Sequence, residues 1–178
     1  MTGELTTVEI TAKQRLISNL TAAVGIILCG VFLLLCGVGA IGLEIGLIIA
    51  PALLITVGVI LLVNSLVQMN TVSLFLAVIF LTCALVSCLA HYADGLDYGK
   101  LYPFYIAAPA IASLFTMLMS RNFVTHIKMI AVFGIPAFLF FMLSFGVWEW
   151  YITVPAVVTF VGLLALYAAL SVRGKPEE

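Results

Sequence analysis

Charge is what this chain has least of. Among 178 residues, seven are Lys or Arg and eight are Asp or Glu, while 65% are hydrophobic. A soluble domain carries about 25% charged and about 45–50% apolar residues. A surface this poor in charge cannot face water, so it must face lipid. The same scarcity excludes nucleic acid as a partner: the net charge is −1, and the basic residues occur only in short flanking pairs.

Other absences narrow the chemistry. There is no Cys-x-x-Cys, no Ser-His-Asp set, no Gly-rich phosphate loop and no His-Glu-x-x-His. No enzyme, metal centre or cofactor site is expected. No Asp, Glu, Lys or Arg occurs within 16–43, 45–93, 101–120, 129–148 or 150–172. Ion-coupled transporters and proton relays usually place ionisable groups inside the bundle, so a proton-driven pump is disfavoured. A cation site built from carbonyls and hydroxyls is not excluded on this ground.

What is present is long apolar sequence. A membrane-crossing helix needs about 20 such residues at 1.5 Å rise each. The stretch 45–93 is long enough for two. The sequence therefore predicts an all-α fold: six transmembrane helices near 18–40, 47–68, 71–92, 103–120, 127–147 and 152–172, arranged as three hairpins. Residues 1–17 form an N-terminal cytoplasmic or interfacial segment, with Thr6 and Glu9 at capping-box spacing. The transmembrane domain covers 18–172, and 173–178 form a cytoplasmic tail. The first apolar run exceeds the ~7–15 residues of a signal peptide, so a retained span is expected.

The few charges give an orientation. Lys13, Arg15, Arg121, Lys128, Arg173 and Lys175 fall on one side of this layout, and the other side holds only Lys100. Short basic loops stay cytoplasmic, so both termini are expected inside, in a prokaryotic inner membrane. Aromatic residues gather on the opposite side, at Tyr92, Tyr98, Tyr102, Trp148, Trp150 and Tyr151, as they do at membrane interfaces. Pro51-Ala52, Pro109-Ala110 and Pro155-Ala156 suggest a faint repeat of the hairpin. Pro136-Ala137 falls outside it.

Two groups of residues stand out. Small residues form stripes: Ala22, Gly25, Cys29 and Cys36 on the first helix, and Ala77, Ala84 and Cys88 on the third. Such stripes let helix backbones approach closely. The four cysteines, with Cys83, could layer soft ligands for a thiophilic ion, but small buried residues in tight contacts fit them better. On the outer face, His91, Asp94, Asp97 and Lys100, with Glu149 and Trp150, could rim a vestibule. Asp and Gly also simply make turns and caps. Ser113, Thr116 and Ser120 are spaced helically and could line a polar path or bond back to their own helix.

Two roles follow. One is a non-catalytic subunit or scaffold of a membrane complex, offering apolar faces to homo- or hetero-oligomeric partners within the lipid bilayer. The other is a channel, passive transporter or binding subunit for a small solute entering from the outer side.

Overall fold

A computed structural model describes residues 11–93, 95–120 and 123–173, without the side chains of Ile45 and 167–173. The described chain is all α: α1 Ala12–Gly37, α2 Ile45–Gln68, α3 Thr71–Tyr92, α4 Tyr98–Met119, α5 Phe123–Ser144 and α6 Trp150–Arg173. The first five are long and apolar enough to cross a membrane, and α6 is apolar over Trp150–Leu166.

The N-terminal boundary differs from expectation. Residues 12–17 belong to the same 26-residue helix as the first span. Thr6 and Glu9 lie outside the described residues. A capping box of Thr11 with Gln14 opens α1: the Gln14 amide donates to Thr11 Oγ1 at 3.3 Å, and the Thr11 amide donates to Gln14 Oε1 at 2.9 Å, which satisfies amides that the first turn leaves without intrahelical partners.

Short turns reverse the chain. Between α2 and α3, Met69 takes the left-handed conformation (φ 52°), and Asn70 accepts from the amides of Val72 and Ser73. Between α3 and α4, Gly95 supplies φ +79° and Asp97 caps α4. Gly146, at φ +68°, ends α5, while the amides of Val147 and Trp148 donate back to the Met142 carbonyl. A side chain at either glycine would strain the turn.

Cross-helix contacts show that neighbours run antiparallel. Gln14 reaches Val67 while Gly25 faces Ile60, and Ser87 meets Tyr105 while His91 meets Tyr98. Thr116 meets His126, and Phe104 packs edge-on to Phe141 at 4.6 Å. The N-terminal ends of α1, α3 and α5 thus share one face of the layer with Lys13, Arg15 and Lys128. Glu44, Lys100 and Glu149 mark the other.

Among the described residues, close backbone packing joins consecutive helices only. It is most extensive between α2 and α3 and between α4 and α5, and least between α5 and α6. The pairing by hairpins is therefore not the strongest pairing; the chain packs best across the turns on the basic side. The reason lies in residue size. Gly58 admits Leu81 so closely that a Cβ there would lie 2.8 Å from the Leu81 side chain. Ala77, Ala84, Ala108, Ala112 and Ala137 are buried along α3, α4 and α5. Small residues bring helix backbones together where no hydrophobic effect separates lipid from leucine.

Prolines mark helix positions rather than turns. Pro51 is the seventh residue of α2, and Pro103 and Pro155 are each the sixth of α4 and α6. Pro109 lies two turns deeper. Position for position, Pro103 is the counterpart of Pro51 and Pro155, so the Pro-Ala pairs do not occupy equivalent places. Each interior proline also frees a carbonyl four residues back, Leu47 in the case of Pro51.

Candidate functional site

The outer-side residues are held by local structure. Asp97 caps α4, accepting from the Lys100 amide at 2.9 Å. The Lys100 ammonium donates to the Gly95 carbonyl at 2.7 Å. His91 Nε2 lies 3.0 Å from the Tyr98 hydroxyl, with the rings edge-on. These contacts close the α3–α4 turn upon itself, and Asp94 lies outside the described residues. Glu149 and Trp150 are exposed at the start of α6, where Trp150 packs edge-on to Tyr151. Among the described residues, no hydrogen bond or ring contact joins Glu149 or Trp150 to the α3–α4 turn, so the structure brings together His91, Asp97 and Lys100 without them.

The small-residue stripes face inward. Ala77 and Ala84 are buried, as is Cys36, and Gly25 faces Ile60 and Thr56 across the α1–α2 contact. Ala22, Cys29 and Cys88 are half-buried. All four cysteines are free thiols, and among the described residues no three of His, Cys, Asp or Glu converge as metal ligands would.

Two polar clusters on the basic side escaped the sequence reading. The first fastens α1 to α2. Ser18 donates to Asn64 Oδ1, Gln68 Nε2 donates to Ser18 Oγ at 3.4 Å, and Gln14 Nε2 donates to the Val67 carbonyl at 2.9 Å. Asn64 and Gln68 both lie inside α2, where side-chain amides tie helices together.

The second cluster joins α4 to α5. Thr116 is fully buried, and its hydroxyl donates back to its own helix, 2.9 Å from the Ala112 carbonyl and 3.2 Å from that of Ser113. With its one hydrogen used there, Thr116 Oγ1 accepts from His126 Nδ1 at 3.2 Å. The network thus places a hydrogen on Nδ1. His126 stands between the charged Arg121 and Lys128 in sequence, yet its ring turns toward Thr116 on α4. One turn deeper, Ser113 Oγ is buried without a hydrogen-bond partner, as is Ser65 Oγ on α2. The helical spacing of Ser113 and Thr116 was the available signal.

Glycines reveal which helix faces the fold uses. Away from the helix ends there are five: Gly25, Gly30, Gly58, Gly134 and Gly162. Gly25, Gly58 and Gly134 each face a neighbouring helix, through Ile60, Leu81 and Ala110 respectively. Gly30 and Gly162 face open space, with nothing within 4 Å of an added Cβ. They sit on α1 and α6, the two helices that have a single neighbour. Around Gly30 the free face of α1 runs Ala23, Ile27, Gly30, Leu34 and Gly37, all exposed. Its small residues recur every seven positions, the spacing that keeps one seam toward a partner helix.

Searches for resemblance returned nothing: no family model, no curated protein and no solved structure matches this chain. What it does must be argued from its own surfaces.

Proposed function

We propose that this polytopic membrane protein is a non-catalytic subunit of a membrane complex, docking partner helices on α1 and α6. The carrying observation is the use of glycine. Where Gly25, Gly58 and Gly134 occur, another helix of the chain lies against them. Gly30 and Gly162 lack such a neighbour, and each stands in the middle of an exposed apolar face. Glycine in a helix interior costs about 0.5–1 kcal/mol relative to alanine. A partner backbone approaching closely at those two points would offset that cost and supply the packing that drives association in lipid. On this reading, the stripe of Ala22, Gly25, Cys29 and Cys36 serves the fold, and the stripe of Ala23, Gly30 and Gly37 serves the assembly.

The arrangement of the charges supports an orientation with the Lys13, Arg15 and Lys128 side cytoplasmic, and hence both termini inside. The solute-binding reading draws less support, because Asp97 and Lys100 are occupied by the turn they form.

The test follows from the open space. Gly30→Leu and Gly162→Leu add side chains that meet nothing in the chain itself. Each should leave the monomer folded and deplete co-purifying subunits, whether foreign or a second copy, from gently solubilised membranes. Gly25→Leu or Ala84→Leu cannot serve, since both would strain contacts inside the chain. Unchanged co-purification in the Gly30→Leu, Gly162→Leu double variant would refute the proposal.

A further inference from the structure

A furrow runs between α1 and α2 on the side of α1 away from Gly30. A cavity of about 490 Å³ is lined by Leu20, Val24, Gly25, Cys29, Val59 and Ile60, among others. A second, of about 190 Å³, continues it toward the outer end past Phe32, Pro51, Cys88 and Tyr92. Ile55 lines both, so the two cavities adjoin along α2. From Leu20 to Phe32 the furrow follows α1 for about 18 Å, and from Ile60 to Ile48 it follows α2 for the same length.

We propose that this furrow holds one acyl chain of a bilayer phospholipid, drawn from the leaflet on the Glu44, Lys100 and Glu149 side. Three observations select that occupant. The lining is apolar apart from Thr21 and Thr56 and the rim residue Tyr92: the Thr56 hydroxyl already donates to the Ala52 carbonyl at 2.7 Å, and no charged residue touches the furrow. The furrow is continuous with the lipid-facing surface, because Leu20, Val24, Leu28, Ile55 and Val59 line it and are also exposed. Its size suits a chain better than a helix: a helix about 10 Å across would occupy roughly 1,400 Å³ over the same 18 Å and could not sink into the furrow, whereas a single hydrocarbon chain is narrow enough to enter. The length suits a tail as well, since one leaflet contributes about half of a ~30 Å hydrocarbon core. The outer mouth, beside Tyr92, places the headgroup at the interface where the His91–Tyr98 pair lies.

The proposal does not rest on the assembly reading, since the Gly30 seam occupies the opposite face of α1. Two experiments on the full-length protein test it. In the first, the wild-type chain is reconstituted with phosphatidylcholine carrying a mid-chain diazirine, illuminated, and mapped by mass spectrometry. Adducts should concentrate on Val24, Cys29, Ile55 and Val59; adducts spread evenly over the other exposed apolar residues would overturn the idea. In the second, native mass spectrometry compares the wild type with Val24→Phe, Val59→Phe, after circular dichroism confirms equal helicity. The wild type should carry one retained phospholipid, and filling the furrow should lower its occupancy about tenfold, the factor corresponding to ~1.4 kcal/mol of lost packing. Equal retention in both, no retention in the wild type, or loss of a protein subunit instead of a lipid would each overturn it.

Discussion

Gly58→Ala against Gly30→Ala is the sharpest test of the packing described here, because the two substitutions are chemically identical and differ only in surroundings. At Gly58 the new Cβ falls 2.8 Å from Leu81 Cγ and Cδ2, and 3.3 Å from the Leu81 backbone nitrogen. The Leu81 side chain can rotate away, but its backbone cannot without parting α2 from α3. Overpacking of this kind costs about 1–3 kcal/mol. Against it stands the gain of replacing glycine by alanine in a helix, up to about 1 kcal/mol. At Gly30 only that gain operates in the dissociated chain. Propensity cancels in the comparison, so the Gly58 variant should be less stable than the Gly30 variant by about 1–3 kcal/mol. Reversible unfolding in mixed micelles, followed by circular dichroism as sodium dodecyl sulfate is raised, measures the difference directly. Repeating Gly58→Ala in a Leu81→Ala background should remove most of the penalty. Equal stability of the two single variants would refute the close α2–α3 approach, and with it the inference drawn from glycine placement.

Further outcomes follow from the polar contacts. Asn64→Leu removes the Ser18–Asn64 hydrogen bond between α1 and α2 and should cost about 0.6–1.7 kcal/mol in the same titration, the range of hydrogen bonds between membrane helices. Thr116→Val should destabilise by a similar amount, measured in the same titration. Asp97→Asn should leave stability nearly unchanged, because Asn caps as well as Asp, whereas Asp97→Ala should lose about 1 kcal/mol. If Asp97→Asn instead abolished binding or uptake of a solute by the reconstituted protein, the outer face would be functional.

The spans were legible because apolar length is a strong signal: the expected third helix, 71–92, coincides with Thr71–Tyr92. The charge pattern likewise marks the two ends of the layer. Which face of each helix packs inward was not legible. On α1 the small residues Ala22, Gly25 and Cys29 lie one step around the helix from Ala23 and Gly30. Sequence offers two equivalent stripes, and only the position of Ile60 on α2 decides between them. His126 was missed for a related reason: its neighbours Arg121 and Lys128 suggest a solvated end, while its partner Thr116 lies ten residues away on the preceding helix.

Native mass spectrometry of the protein released from its own membrane tests the central claim most directly. The assembly reading predicts a defined complex in which the wild-type chain carries at least one further subunit at fixed stoichiometry, lost when Gly30 and Gly162 are both replaced by leucine. A wild-type chain that emerges alone under conditions preserving other membrane complexes, or a complex indifferent to those two substitutions, would contradict it.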